Sequence, residues 1–474
     1  LRSLATTYRP FFLVLGAICA LLGLHFAVPS GNVPGIGLKV PDLISNLRPS
    51  SIQIAPLPAA VFHDTSALAA PKYLDTIRAV KLDSSSRIVD YGGDSASGMV
   101  RFSAALRRRN GKVRVAHFGD SMIEADLVTQ DLRRNLQTVF GGGGVGFVPI
   151  TSEVASMRST LRVTCSDNWE TGSIMDRGKS KYSFGIAGRY FEPAVDLKRP
   201  KNGDTTRWVS SGASWVAFQP WRRTFDKSGY AHLSLYVQNV SGFTGVEYSC
   251  DDDSALTDTI PVGAGLQRVT LETPADEKIL LRFHCSSPFT VDGVSFDSDT
   301  GVIVDNFPSR GNGGLALNRI SDSVLTSYAR FLDYRLIILE YGANIATDDT
   351  LLERTNYERV FTSVIRRLRS DFPNADVLVI GAADKSFNSD HGYRTALSIP
   401  YIMKAQKNAA EKMHCAFWNL FDVMGGQNSM PSWVQKGYAA KDYTHFSVTG
   451  SRIIGNLLAK AFLYEYQRPS VAIP

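Results

Sequence analysis

The pattern of apolar and polar positions divides the 474-residue chain into stretches of different character. From Phe11 to Val28 the run is apolar without a Lys, Arg, Asp or Glu. As a helix it would measure roughly 27 Å at ~1.5 Å per residue, close to the thickness of a bilayer core. Arg2 and Arg9 precede it with no acidic residue, so the positive-inside rule predicts a cytoplasmic amino terminus and the remaining chain across the membrane. The segment reads as an uncleaved anchor or as a signal peptide. Its length and the lack of a clean small-x-small site favour the anchor, although Ala27-Val-Pro-Ser-Gly keeps cleavage open. Cys19 is not a lipid attachment site, because Ile18 stands where a small residue is needed. A buried helix is the plainer alternative, disfavoured by Gly16, Gly23 and the flanking charges.

Pro29 to about Ser86 is rich in Pro, Ser and Ala with weak periodicity and reads as a spacer. From Lys112 the pattern sharpens: Val113, Val115 and Phe118 predict a strand, and Leu127, Leu132, Leu136 and Val139 predict a helix over 126–140. The glycine cluster Gly141 to Gly146 stops that helix; without a following Lys-Ser or Lys-Thr it is not a phosphate loop. Between about Thr151 and Thr300 apolar and polar residues alternate, as in His232-Leu-Ser-Leu-Tyr-Val and Ile279-Leu-Leu-Arg-Phe-His. That pattern predicts a β-sandwich inserted into another domain. Afterwards strands (335–340, 376–380, 416–420) alternate with helices (357–369, 448–464), the mark of a parallel sheet covered on both faces.

Composition changes this picture little. The net charge is +6 and the pI near 8.9, mildly basic but dispersed, with no stripe for nucleic acid. A weak attraction to an acidic envelope polymer is the most it suggests. Of the five cysteines, none falls in a zinc-site spacing; Cys250 and Cys285 either pair in an oxidising compartment or stay as buried thiols.

Two short motifs carry chemistry. Gly119-Asp120-Ser121 follows the predicted 113–118 strand directly, and Asp442-Tyr-Thr-His445 precedes the closing helix. A serine hydroxyl is a weak nucleophile until a histidine accepts its proton, and the histidine needs a carboxylate to hold its tautomer, so Ser121, His445 and Asp442 read as a split triad. A third loop, Gly342-Ala-Asn344, follows another buried strand. In parallel sheets the working residues gather at the carboxyl ends of strands, where Ser121 and Asn344 both fall.

This ordering resembles the SGNH, or GDSL, hydrolase family, with its blocks Gly-Asp-Ser, a glycine, Gly-x-Asn and Asp-x-x-His. The resemblance implies that Ser121 attacks, His445 is its base, Asp442 orients the histidine, and the Ser121 amide, a glycine amide and the Asn344 side chain stabilise the oxyanion. Ser309-Arg-Gly311-Asn312-Gly313-Gly314 offers three glycines for the second block, of which Gly313, after Asn312, matches best. Ile345 departs from the acid that often follows the asparagine in that family. The stretch Gly425-Gly-Gln-Asn-Ser429-Met-Pro-Ser-Trp433 and the β-rich insert are similar to the branch containing peptidoglycan O-acetylesterases, in which a carbohydrate-binding sandwich interrupts the catalytic domain.

The expected fold is therefore α/β, a flavodoxin-like parallel sheet interrupted by a β-sandwich, with an N-terminal transmembrane helix. The expected organisation is an anchor (1–30), a periplasmic spacer (31–95), a catalytic domain in two parts (96–150 and 301–474) and the insert (151–300), a single-pass inner-membrane protein with its catalytic domain in the periplasm. The expected activity is O-acetylesterase on a cell-envelope polysaccharide, through an acetyl-serine and without metal or cofactor. The alternatives are an O-acetyltransferase working with a membrane acyltransferase partner, and a glycan-binding protein with a vestigial triad. The other side chains have plainer roles: Asp120 ties down the serine turn, His117 packs on its strand, and Trp208, Trp215 and Trp221 are core before they are sugar contacts. No partner is argued for His391 or His414.

Overall fold

In the computed structural model, the residues described are 82–92, 98–108, 111–198, 209–220, 232–250, 254–273, 278–351 and 356–467. Their centre is a six-stranded sheet in the order Val89–Asp90, Ala416–Trp418, Asp376–Ile380, Tyr334–Glu340, Lys112–Gly119, Gly301–Pro308. Five of these strands are parallel, and the two-residue edge strand Val89–Asp90 runs antiparallel against Ala416–Phe417.

Both faces of the sheet are covered. Side chains alternate across the sheet: Ala116, Phe118, Ile337 and Leu339 join one core with the helices Asp322–Leu332, Tyr357–Asp371 and Ile399–Lys412. Val113, Val115, Leu336 and Ile338 join the other with Val100–Arg108, Thr129–Phe140 and Val448–Gln467. The predicted 126–140 helix begins later, at Thr129, because Ala125 and Asp126 adopt left-handed backbone conformations (φ 54° and 67°).

Between the serine strand and Gly301–Pro308 the chain builds two antiparallel sheets, one including His232–Gln238 and Thr290–Asp297, the other including Thr244–Cys250, Ile279–Cys285 and Ser214–Pro220. Their apolar faces share one core, with Phe218 of one against Phe296 of the other at a ring separation of 5.5 Å. A buried ion pair fastens this region to the central sheet: the Arg114 guanidinium on the serine strand reaches Asp297, and Asp305 of the neighbouring central strand braces it at 2.7 and 2.8 Å. Breaking such a pair leaves a buried charge uncompensated, at a cost of about 3–5 kcal/mol.

Two expectations are corrected. The fold is a mixed α/β arrangement of several sheets with an antiparallel edge, instead of a flavodoxin-like sheet carrying a transmembrane helix. Among the described residues no helix is long and apolar enough to cross a membrane. Val448–Gln467 has the length, at 20 residues, but carries Arg452, Lys460 and Glu465 and packs on the sheet. The inner-membrane, single-pass placement loses its structural basis with it. The apolar segment Phe11–Val28, with Cys19, lies outside the described residues, as do the spacer as far as residue 81, Trp208 and Trp221. Among the described residues no disulfide forms. Cys250 and Cys285 stand at opposite ends of one strand pair, opposite Ile279 and Thr244, beyond reach of each other.

Candidate active site

Register brings three strand ends level. Gly119 pairs with Pro308 on one side and Glu340 on the other, so the loops 120–126, 309–314 and 341–346 leave the sheet side by side. The Ser309 N–H donates to the Gly119 carbonyl at 2.8 Å and the Asp120 N–H to the Glu340 carbonyl at 3.3 Å. Only glycine fits at 119: a Cβ there would lie 2.9 Å from the Glu340 carbonyl oxygen and from the Ile123 side chain.

Ser121 opens a short 3₁₀ turn, Ser121–Asp126, capped by the Asp120 carboxylate, which accepts the Met122 N–H at 2.9 Å. The far end of the turn is pinned by buried Asp126, paired with Arg133 at 2.7 and 2.9 Å and accepting the Thr160 hydroxyl at 2.9 Å. Asp120 is buried, and burial pushes its carboxyl up to about 7; the neighbouring Glu340 adds to this, while the Met122 N–H and the Asn344 amide act against it. Beneath the turn, Asp120, Glu340 and Tyr341 line a cavity of about 10 Å³, roughly one water in size. The Glu340 carboxylate bonds His117 Nε2 at 2.9 Å, and His117 Nδ1 meets the Thr129 hydroxyl at 3.0 Å.

The hydroxyl of Ser121 lies 2.8 Å from Nε2 of His445, and Nδ1 of His445 lies 2.6 Å from Oδ2 of Asp442. The other Asp442 oxygen accepts the N–H groups of Thr444 and His445, each at 3.0 Å. Burial would raise the Asp442 carboxyl, yet these bonds from the His445 ring and the two backbone amides outweigh it and hold the group below the usual carboxylate range. The turn is closed by a bridge between Ala439 and Phe446, whose ring packs on Trp433, and Tyr443 within it is left-handed (φ 54°). The histidine and aspartate side chains are 38% and 49% exposed, so the row of three opens to solvent.

Asn344 and the glycine loop also meet. The Asn344 amide donates to the Asn312 carbonyl at 3.3 Å, and the Asn312 side-chain oxygen accepts the Gly314 N–H at 2.8 Å. The Asn344 amide nitrogen carries two hydrogens; it braces the Asn312 carbonyl and also acts on the Asp120 carboxyl. Gly313 packs on Ile345: a Cβ at 313 would lie 2.5 Å from the Ile345 methyl. Lys385, half-buried, donates to the carbonyls of Ala343 (3.0 Å) and Ala346 (3.4 Å) on either side of Asn344 and faces Asp120 and Asp442. Burial holds its pKa below the usual lysine value, against the pull of the two carboxylates.

The inserted sheets reach this rim. Arg319 donates to the carbonyls of Ile174, Asp176 (2.6 Å) and Gly178 (3.0 Å), and Arg310 pairs with Glu124 of the serine turn. Met175 thereby stands beside Gly311.

Ser121, His445 and Asp442 thus lie in one hydrogen-bonded row, with Asn344 and Gly313 in loops tied to each other and leaving the sheet beside the serine turn. Trp215 is half-buried in the insert, its carbonyl accepting the Trp169 indole at 3.2 Å. His391 sits in an exposed hairpin turn and His414 at the surface near the Tyr91 carbonyl. Sequence reading missed Glu340 and Lys385, which carry no motif. Their only sequence signal is a charged residue at or just beyond the end of a buried strand. Among the described residues no three His, Cys, Asp or Glu side chains converge as a metal site.

No protein-family model matches the chain, and no curated protein matches it in sequence. Among solved structures it is similar to a peptidoglycan O-acetylesterase, with 21% identity over 81% of this chain and 99% of the other and a TM-score of 0.63, which shows a shared fold. A family two carbohydrate esterase from Cellvibrio japonicus matches over 65% of this chain and 99% of the other at 9% identity, but with a TM-score of 0.24.

Proposed function

We propose that this protein is a serine-dependent O-acetylesterase acting on a cell-envelope polysaccharide such as O-acetylated peptidoglycan. The observation that carries the reading is the row Ser121 Oγ, His445 Nε2, His445 Nδ1 and Asp442 Oδ2, with contacts of 2.8 and 2.6 Å. A carboxylate held ionised fixes the proton on Nδ1, which leaves Nε2 free to accept the serine proton.

In this mechanism the Ser121 oxygen bonds to the acetyl carbonyl carbon as its proton passes to His445 Nε2. The oxyanion is met by the N–H groups of Ser121 and Gly313 and by the Asn344 side-chain amide. Collapse breaks the bond to the sugar oxygen, which takes the proton from His445 and leaves acetyl-serine. Water, deprotonated by the same histidine, then releases acetate and restores the hydroxyl. The shared fold with a peptidoglycan O-acetylesterase and the approach of the inserted sheets to the rim support a glycan as substrate.

The test is acetate release from O-acetylated peptidoglycan, with an acetylated sugar acceptor assayed in parallel. Release abolished by Ser121→Ala, in a protein of unchanged Tm, is the expected result. Serine-independent release overturns the mechanism, and transfer of acetyl to the acceptor in place of release overturns the esterase direction.

A further inference from the structure

Beside the triad, two tyrosine rings lie face to face. Tyr393 and Tyr443 have ring centroids 3.4 Å apart and planes within 6°. Tyr443 sits between Asp442 and His445, whereas Tyr393 comes from a separate hairpin, Ser386–Ser389 paired with Gly392–Thr395, and is 42% exposed. A nearly eclipsed stack is the arrangement that ring quadrupoles favour least. Mutual attraction of the rings therefore does not set this geometry; the backbone frames do.

Those frames are firm. The Ser386 N–H donates to the Tyr443 carbonyl at 3.0 Å, and the Ala396 N–H to the Lys385 carbonyl at 2.8 Å. Thr395 and Asn428 exchange two bonds, at 2.9 and 2.7 Å, and Arg394 pairs with Asp348 at 2.9 Å. The hairpin is thus fastened both to the triad loop and to the helix that follows Asn428. A non-glycine residue at φ 54° is strained, and such strain clusters at sites of function. Directly opposite Tyr393 in the ladder stands exposed Asn388, and opposed residues share one face of a hairpin.

We infer that Tyr393, backed by Tyr443 and flanked by Asn388, is a sugar-binding subsite that takes a pyranose ring of the glycan next to the acetylated one. A pyranose presents a flat C–H face and a rim of hydroxyls. The aromatic face meets the first, and the amide, with donors and an acceptor, meets the second. Fixed in place before binding, the platform loses little entropy when the sugar arrives. The inference rests on the glycan-esterase reading, and it extends that reading to how the polymer is held beside the serine.

Binding is separable from turnover. In Ser121→Ala protein, calorimetric titration with a soluble oligomer of β-1,4-linked N-acetylglucosamine should give a measurable Kd. Adding Tyr393→Ala should weaken it about tenfold, the size of one aromatic contact, while Tyr393→Phe keeps the affinity. Equal affinity with and without the Tyr393 ring overturns the platform, as does a Ser121→Ala protein that fails to bind the oligomer at all. A Tyr393→Ala protein whose Tm and turnover of p-nitrophenyl acetate fall as far as its affinity makes the residue a brace for the Asp442 turn and also overturns it. Failure of the esterase reading would show elsewhere, as acetate release that does not depend on Ser121.

Discussion

The ammonium group of Lys385 donates to the carbonyl of Ala343 at 3.0 Å, one residue before Asn344, and its second carbonyl partner, Ala346, lies two residues beyond it. A single cation therefore grips the loop that carries the amide assigned to the oxyanion. It comes from the segment whose next N–H binds the triad turn at Tyr443.

Replacing Lys385 by Met keeps an unbranched side chain only one atom shorter and removes both bonds. The Asn344 loop then loosens without losing its amide. We expect kcat on p-nitrophenyl acetate to fall about 10- to 100-fold, less than the roughly 100- to 1000-fold loss of an oxyanion donor itself in Asn344→Ala. A change confined to KM would show that Lys385 does not position the loop.

The contact of Gly313 with Ile345 supplies a second test of the same loops. In Gly313→Ala the new methyl would lie 2.5 Å from the Ile345 side chain, too close for either loop to stay in place. A loss of about tenfold in kcat is expected. Ile345→Ala removes the obstructing methyl, so the double variant should regain most of the activity, a coupling typical of residues in contact. A double variant no better than Gly313→Ala alone would place the damage elsewhere.

The particular residues show why some of this was legible in the sequence. The serine strand announces itself through Val113, Val115 and Phe118 directly before Gly119-Asp120-Ser121, and Asp442 and His445 are three residues apart, so their pairing is local. Lys385 and Ala343 are 42 residues apart, and Arg114 and Asp305 are 191; only strand order joins such pairs, and a lone charged residue does not state it. The edge strand Val89–Asp90 is too short to show any period. The 11–28 run was read from hydropathy alone, whereas the one 20-residue helix described mixes charge with apolar positions and lies on the sheet.

Stability should fall as the pH rises from about 5 to 8. Burial pushes Asp292 and Asp376 up to about 7, against roughly 3.9 in an unfolded chain. Between these values the folded state binds more protons than the unfolded one, so the stability present at acid pH is lost as the pH climbs through 7. Asp126, Asp297 and Asp442 are shifted downward, and their contribution is lost only at pH values below about 4. In Asp292→Asn, an isosteric amide accepts the bonds from Tyr328 and Gln238, both at 2.7 Å, without a charge to desolvate. Its Tm should decline less between pH 5 and 8 than that of the parent; an unchanged slope would remove Asp292 from the account.

Asp442→Asn separates orientation from charge in the triad. The Asn oxygen can keep the bonds from the Thr444 and His445 amides, so the turn should hold its shape and Tm should move little. The NH₂ group, however, then faces Nδ1 of His445, which must turn from donor to acceptor and carry its proton on Nε2 instead. That proton points at the Ser121 hydroxyl, 2.8 Å away, and the histidine can no longer accept from it. A fall in kcat of about 1000- to 10000-fold is expected, as for the same exchange of tautomer in other serine triads. Asp442→Ala should be worse for stability, since it also empties the cap on the two backbone amides, and no better for rate. If Asp442→Asn retained more than about a tenth of parental kcat on p-nitrophenyl acetate, the 2.6 Å contact would be structural and His445 would need another group to hold its tautomer.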